Sequence, residues 1–199
     1  MYKYILCVAI CAAIWIINGK QIARSAREHI TGEIYNHTGL GIFFTLLTIG
    51  YFFPEAGMYA PAGASWPRIV GLVLYVPSAF LVFGAMIQLK RKGKPEAGDA
   101  LAPHGTTVVV DTGIYGVVRH PMWLGMVIWS VALMLVFQSV LSVVMGAVAI
   151  ACFRIGSVKE DRFNVEEFGD AYREYMKRVP MWDFLKGLRR RADLDNPQH

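Results

Sequence analysis

The sequence predicts an all-α polytopic membrane protein with about five transmembrane helices. Hydrophobic residues make up 55% of the 199-residue chain, which is too apolar for an ordinary soluble domain. The apolar residues gather into runs of membrane-helix length, and Lys and Arg concentrate in alternate connecting segments. These two observations exclude a soluble globular enzyme and indicate an integral membrane protein.

Three predicted spans lie in the first ninety residues. They are Tyr4–Ile17, Leu40–Phe53 and Ile69–Leu89. The first is shorter than the roughly 20 residues that cross a bilayer, but Lys20 and Gln21 can lengthen it by snorkelling. A cleaved signal peptide is the alternative; because no A-x-A cleavage site follows, a retained span is favoured. In the third span, Pro77 predicts a kink.

A helical hairpin is predicted after residue 120. The run Pro121–Phe153 contains no Asp, Glu, Lys or Arg, and a single helix of that length would measure about 50 Å against a hydrocarbon core of about 30 Å. Gln138 and Ser139 are the adjacent polar residues within it. A turn there gives two spans, Pro121–Phe137 and Val140–Phe153.

The cations predict the orientation of these spans. In the five-span arrangement, eighteen of the 20 Lys and Arg residues fall on one side, and only Lys3 and Arg68 fall on the other. Since cytoplasmic segments carry the excess of Lys and Arg, the C-terminus is predicted to be cytoplasmic. The N-terminus and the cation-free loop Pro54–Trp66 are then expected outside.

Residues 1–185, with the spans included, are predicted to form one domain. Gly93–Gly105 reads as a Gly/Pro-rich connector, and Thr106–Val110 as a short run that could be extended. Arg162–Met176 is predicted to be an amphipathic helix at the membrane interface. Residues 186–199 read as a basic, flexible tail that is solvated or binds lipid headgroups, with no nucleic-acid site.

The cysteines predict neither disulfides nor a metal site. Cys7, Cys11 and Cys152 all lie in apolar runs, which gives no framework of exposed thiols. Cys7 and Cys11 share a helix face, but no His or carboxylate lies near them in the sequence, so small hydrophobic residues are favoured over metal ligands.

The stretch DTGIYGVVRHPMWLG, from Asp111 to Gly125, carries the strongest functional signal. It places Arg119 and His120 directly before Pro121, a residue suited to the first position of a helix. Ionisable groups at a membrane boundary are costly to desolvate and are therefore functional candidates. The alternatives are that Arg119 anchors the helix by its charge and that His120 caps it.

A second set of such residues follows this stretch about forty residues later. The two sets are Gly113, Tyr115, Arg119, His120, Pro121 and Gly125, and then Glu160, Asp161, Phe168, Gly169, Tyr172, Tyr175, Val179 and Pro180. Together they resemble the isoprenylcysteine carboxyl methyltransferase and phospholipid methyltransferase superfamily. The resemblance covers about residues 89–180 and implies an integral membrane enzyme that uses S-adenosylmethionine. The chain differs from the family pattern at Trp123, where Tyr is usual, and at Asp161, where a second Glu is usual.

The resemblance also implies a cofactor pocket on the cytoplasmic side, among helix ends and loops. No Gly-rich loop of a Rossmann-type domain is present in the sequence. The residues implied to line the adenosine are Val109, Val110, Gly113 and Tyr115, and those implied to hold the rest of S-adenosylmethionine are His120, Pro121 and Glu160. Arg119 and Glu160 are the catalytic candidates, and Arg119 and Trp123 the acceptor-binding ones. The alternatives are that Glu160 and Asp161 solvate a helix end and that Tyr115 and Trp123 are interfacial aromatics.

The acceptor is expected to be lipophilic and to arrive from the bilayer. Methyl transfer is an in-line displacement on a carbon that the sulfonium already activates, so the protein positions and desolvates, and no metal is required. A carboxylate, as in isoprenylcysteine carboxyl methylation, needs only a cation such as Arg119 to orient it. A phospholipid amine would need a base, for which His120 or Glu160 are candidates.

Two rival functions were weighed against methyl transfer. Membrane sterol or steroid reductases, which use a nicotinamide cofactor, share an Arg-His-Pro segment but continue with Asn, Tyr and an acidic residue; this chain has Met122, Trp123 and Met126 around Gly125. A non-enzymatic membrane subunit or small transporter would carry charges near mid-membrane, and the predicted spans carry none there.

Overall fold

A computed structural model of the chain describes residues 2–53, 65–93 and 107–195. Its elements in these ranges are helices, so the all-α prediction is confirmed for the described residues. The helices are α1 (Tyr2–Arg27), α2 (Thr31–Phe52), α3 (Ser65–Lys92), α4 (Pro121–Phe137), α5 (Val140–Phe168), α6 (Asp170–Arg178) and α7 (Phe184–Asp195), with a 3₁₀ turn at Gly113–Gly116. Residues 54–64 of the predicted outer loop and 94–106 of the predicted connector lie outside the described residues.

Three of the described helices are long and apolar enough to cross a membrane. They are α1, α5 and the part of α3 from Trp66 to Lys92, while α4 is apolar but has only 17 residues. The chain is thus an integral membrane protein, as the sequence predicted. The count of five spans, which adds α2 and α4, stays a prediction.

The turn of the predicted hairpin lies where the sequence placed it. Helix α4 ends at Phe137, Gln138 adopts a positive φ of 46°, and α5 begins at Val140. Ser139 and Ser142 bond reciprocally, because each backbone N–H donates to the other's hydroxyl, at 3.1 and 3.0 Å. This reciprocal cap satisfies N–H groups at the start of α5 that would otherwise be orphaned.

The end of α5 corrects the sequence prediction. The helix does not stop at Phe153 but runs 29 residues to Phe168, about 44 Å in length. Arg162–Met176 is therefore not one interfacial helix. Its first part belongs to α5, and its last part belongs to α6. Gly169, with a φ of 58°, separates the two helices. The change from apolar to charged residues after Phe153 marks the end of the apolar surface of α5. It does not end the helix, because no Pro follows Phe153 within α5 to interrupt the backbone hydrogen bonds.

The described chain divides into two compact units, and the single domain over residues 1–185 stays a prediction. The first unit comprises Met1–Pro77 and Met126–Glu160. In its core, the rings of Phe43 and Trp129 meet edge to face with centroids 5.6 Å apart, and Phe153 is fully buried. Trp15 donates to the Thr45 hydroxyl at 3.0 Å and thereby joins α1 to α2.

The second unit comprises Ser78–Gly125 and Asp161–His199. Its core contains Val118 and an aromatic cluster around Tyr172 and Tyr175. Helix α7 packs so closely that a Cβ at Gly187 would overlap the carbonyl of Val117. The structure therefore places residues 184–195 in a packed helix, where the sequence predicted a flexible tail from residue 186; residues 196–199 lie outside the described part of the chain.

If α3 crosses the bilayer, its two ends are reachable from opposite sides. We expect a cysteine placed by Trp66→Cys to react with an impermeant maleimide added outside intact cells, because Trp66 is 69% exposed at the start of the helix. A cysteine placed by Arg91→Cys should react only from the cytoplasm, where the positive-inside rule places this cationic end. Both variants are made in a background that lacks Cys7, Cys11 and Cys152, and reaction of both from one side would contradict the span.

Candidate active site

The loop before α4 is held in shape by the end of α3. The Gln88 amide donates to the Thr112 carbonyl and accepts from the Ile114 N–H at 3.1 Å, and Lys92 donates to the Thr112 hydroxyl at 2.9 Å. Gly113 has a positive φ of 55°, and a Cβ there would overlap the Gln88 side chain. Glycine is required at position 113 both for its positive φ and for the lack of a Cβ. The Gln88 side chain can therefore approach the loop backbone closely.

The Arg-His-Pro segment connects this loop to the start of α4. The Arg119 N–H donates to the Pro180 carbonyl at 3.0 Å, and the His120 N–H to the Met181 carbonyl at 3.3 Å. Pro121 is the first residue of α4, as predicted, and the His120 carbonyl accepts the helical bond from Leu124 at 3.0 Å. Backbone hydrogen bonds thus fix the position of this segment independently of its side-chain contacts.

The Asp161 carboxylate is the acceptor at the centre of the second unit. Its Oδ1 accepts from Arg119 Nε at 3.3 Å, from His120 Nε2 at 2.8 Å and from the Tyr172 hydroxyl at 2.8 Å, while Oδ2 accepts from Arg119 Nη2 at 2.9 Å. The Arg119, His120 and Asp161 side chains are 8%, 3% and 5% exposed. A buried carboxylate with this many charge-assisted bonds is well compensated for the loss of water.

Most of the Arg119 guanidinium is used within the protein. Besides its two bonds to Asp161, Nη1 donates to the carbonyls of Met176 at 3.1 Å and of Val179. Arginine carries five N–H donors, so one Nη2 hydrogen has no acceptor among the residues that the structure describes. The planar fork thus engages Asp161, and the role of Arg119 in orienting a bound acceptor stays a prediction.

An aromatic cluster contacts two of the residues that were predicted to line the adenosine. The Tyr175 hydroxyl donates to the Tyr115 carbonyl at 2.8 Å, and Val109 packs against Tyr172 and Tyr175. Burial raises the pKa of Tyr175, so its hydroxyl stays protonated and keeps donating. Val110 is buried as well.

Glu160 and Asp161 are neighbours on α5 but have different partners. Glu160, 8% exposed, accepts from the Asn36 amide at 3.4 Å within the first unit. The other predicted site residues all belong to the second unit; they are Val109, Val110, Gly113, Tyr115, Arg119, His120, Pro121 and Trp123. Among them, the structure brings Arg119 and His120 together on Asp161.

The sequence analysis missed polar residues on α2. His37 Nε2 lies 3.0 Å from Glu33 Oε2, and His37 Nδ1 lies 3.1 Å from Asn18 Oδ1. Glu33, Asn36 and His37 follow a spacing of three and four residues, which puts them on one helix face. That spacing is visible in the sequence, but the predicted span begins only at Leu40, so these residues lie outside it. Asp161 was named in the motif and as a residue that could solvate a helix end, but it was not among the predicted site residues.

A comparison with protein-family models finds a match to Phospholipid methyltransferase over residues 66–171, more than half of the chain. That range contains the Arg119, His120 and Asp161 side chains. The chain belongs to the phospholipid methyltransferase family. The methyltransferase superfamily membership that the sequence motifs predicted is confirmed.

Curated relatives of the chain carry the name Protein-S-isoprenylcysteine O-methyltransferase. The protein from Schizosaccharomyces pombe is 31% identical over 74 residues, which cover 37% of this chain and 31% of the relative. The Dictyostelium discoideum protein is 29% identical over 82 residues, 41% of this chain and 34% of the relative. The Homo sapiens protein is 28% identical over 152 residues, 73% of this chain and 49% of the relative. The chain thus spans between about a third and a half of the length of these relatives.

The Asp161 network predicts a large loss of stability on neutralising its acceptor. We expect Asp161→Asn to destabilise the protein by about 3 to 5 kcal/mol, because the Arg119 charge is then buried without its partner. Chemical denaturation in a mild detergent, followed by tryptophan fluorescence, measures this free energy of unfolding. Asp170→Asn is the matched control, since its ion pair with Arg173 is exposed and contributes little. Equal unfolding of both variants would contradict a central role for Asp161.

Proposed function

We propose that the protein transfers a methyl group from S-adenosylmethionine to a lipophilic acceptor at the cytoplasmic face of a membrane. The observation that carries this proposal is the buried network in which Asp161 holds Arg119 and His120 at the first turn of the apolar helix α4. It supports a polar site built directly at the end of a membrane helix. Family membership and the names of the relatives support the reaction class.

The chemistry of the residues fits S-adenosylmethionine. Its adenine needs apolar and backbone groups, which the loop with Val109, Val110, Gly113 and Tyr115 offers beside an aromatic cluster. Its ammonium needs a carboxylate, for which we propose Glu160, and its carboxylate needs N–H donors near His120 and Pro121. When bound, the cofactor supplies a methyl carbon on a sulfonium, so the protein itself needs no metal for this step.

The protein's own contribution is to orient groups and exclude water. Asp161 accepts the Nε2–H of His120 and two N–H groups of Arg119, so the orientation of both side chains is fixed before any ligand binds. The unused Nη2 hydrogen of Arg119 is the donor we propose for the acceptor, next to Trp123. Because Asp161 and the carbonyls of Met176 and Val179 accept the other four N–H groups, Arg119 acts through one hydrogen bond and not through its whole fork.

For the acceptor we propose a carboxylate on a lipidated cysteine, as the names of the relatives suggest. A carboxylate is nucleophilic at neutral pH and needs only a donor to orient it, and Arg119 and His120 are both donors in the Asp161 network. A phospholipid amine is the second candidate, favoured by the description of the matching family. An amine would need a base, and Glu160 is the carboxylate we would assign to that role.

The site is proposed to face the cytoplasm and to receive its acceptor from the bilayer. The last turn of α3 carries Lys90, Arg91 and Lys92, and by the positive-inside rule this end is cytoplasmic. The same end holds the loop at Thr112 through Gln88 and Lys92. Membrane lipids and a lipidated substrate are therefore the partners we propose.

The proposed role of Glu160 predicts a loss of cofactor affinity on neutralisation. Glu160→Gln should weaken S-adenosylmethionine binding by about 1 to 3 kcal/mol, since a charge-assisted hydrogen bond becomes a neutral one. Titration calorimetry on detergent-purified protein measures this, with Glu174→Gln as the control because Glu174 is exposed and pairs with Lys177. Binding of a reduced nicotinamide cofactor in place of S-adenosylmethionine would favour the reductase alternative.

The acceptor class predicts the chemical stability of the product. With radiolabelled S-adenosylmethionine, we expect label on a prenylated cysteine that has a free carboxylate, and we expect mild base to release it as methanol. Phosphatidylethanolamine, incubated in parallel, would give a base-stable N-methyl product. Label on the phospholipid alone would replace the carboxylate assignment with the amine, and label on neither would remove both.

A further inference from the structure

Helix α2 begins with a polar face that the matched family range does not include. Glu33, Asn36 and His37 lie within its first two turns, before residue 66, where the family match starts. Glu33 is 4% exposed and Asn36 is 1% exposed. Polar side chains this deeply buried in a membrane protein are costly and therefore require a reason.

Asn36 reaches the carboxylate that we assign to the cofactor site. Its Nδ2 donates to Glu160 Oε2 at 3.4 Å, across 124 residues of sequence. The distance is at the long end for a hydrogen bond, as is common in binding sites before the ligand tightens them. Only one orientation of the amide presents donors to the carboxylate, so the hydrogen bond itself determines which way the Asn36 amide points.

The backbones of α2 and α5 are packed closely at this level. A Cβ at Gly156, one turn before Glu160, would overlap Asn36 Oδ1. A Cβ at Gly32 would lie 3.1 Å from the Glu160 backbone nitrogen and 3.2 Å from the Gly156 carbonyl oxygen. The two glycines thus allow the helices to approach until Asn36 reaches Glu160, and they confine the Asn36 side chain on its other side.

Among the described residues, Glu160 provides the hydrogen bond that compensates the Asn36 amide for its burial. Its Oδ1 is buried and has no hydrogen-bond partner within the described part of the chain. Other buried polar groups of α2, such as the Thr48 hydroxyl, satisfy themselves by bonding a carbonyl of their own helix. Asparagine at position 36 is therefore explained by its contact with Glu160 and not by the stability of α2.

We propose that Asn36 is a positioning residue, which orients Glu160 toward the ammonium group of S-adenosylmethionine. The proposal rests on the proposed function. Asn36 donates to Oε2 and thereby fixes the rotation of the Glu160 carboxylate. On the same face of α2, His37 contacts Glu33 of its own helix and Asn18 of α1, so these contacts join α2 to α1.

The test compares three variants and a control by titration calorimetry with S-adenosylmethionine. We expect Asn36→Ala to raise the Kd about fivefold or more, because the carboxylate loses its orienting donor. Gly156→Ala should raise it as well, since the new methyl group displaces the Asn36 amide. In the double variant the methyl group finds space, so the second substitution should add little to the first.

Thr48→Ala is the matched control, because Thr48 is a buried polar residue of α2 that bonds only within its helix. It should leave the Kd within twofold of the wild type. Kinetics add a second readout: for Asn36→Ala, the KM for S-adenosylmethionine should rise while kcat at saturating cofactor changes little. A merely structural residue would instead lower the yield of folded protein and leave the KM of the folded fraction unchanged.

The outcomes separate the two levels of the proposal. Wild-type protein that binds no S-adenosylmethionine would overturn the proposed function and this inference together. Wild-type binding that Asn36→Ala and Gly156→Ala leave unchanged would overturn only the role of Asn36, as would additive losses in the double variant. Should Asn36→Ala fail to fold, Gly156→Ala alone decides, since it keeps every polar group and adds one methyl group.

Discussion

The second unit depends on one buried carboxylate. Asp161 collects hydrogen bonds from Arg119 and His120, which precede α4, and from Tyr172 on α6. A buried charge is tolerated only where its partners are all in place, because each missing bond leaves part of the desolvation cost uncompensated. The segments that carry these partners are therefore fixed together, and the loop from Val109 to Pro121 takes its shape from that requirement.

Helix α5 carries both Glu160 and Asp161 because it continues beyond its apolar run. The helix continues for about four turns beyond Phe153, the last residue of its apolar run. This extension brings two consecutive acidic residues to the end of a membrane helix, where neighbouring side chains project about 100° apart around the axis. Glu160 and Asp161 consequently serve different partners, Asn36 for the first and Arg119 with His120 for the second.

The sequence predicted those features that depend on local chemistry or on hydropathy. The turn at Gln138 and Ser139 could be predicted because the uncharged run is too long for a single helix to cross the bilayer once. The start of α4 at Pro121 could be predicted because proline suits the first turn of a helix. The end of α5 and the start of α2 were not readable from hydropathy. Hydropathy measures where apolar surface ends, and a helix continues through a change in polarity when no residue stops it.

The partners of the site residues were harder to predict than the residues themselves. Arg119, His120 and Glu160 stand out by their position next to apolar runs, but their contacts join segments about 40 to 124 residues apart. Asp161 stands where the family usually has Glu, and it was given no role in the predicted site. In the structure its short side chain is within 3.3 Å of three donors, so its length suits the distances that this chain presents.

Polar residues in apolar helices divide into two kinds, which the sequence alone does not distinguish. Hydroxyl groups such as those of Thr48, Ser130 and Ser157 bond the carbonyl four residues earlier, at 2.7 to 2.9 Å, so their helices need no neighbour to satisfy them. Asn36 cannot be satisfied in this way while it donates to Glu160, and its contact exists only when α2 and α5 are packed. A side chain of this second kind links the stability of the helix pair to the orientation of a carboxylate, and this link is what connects the fold of the first unit to the chemistry proposed for Glu160.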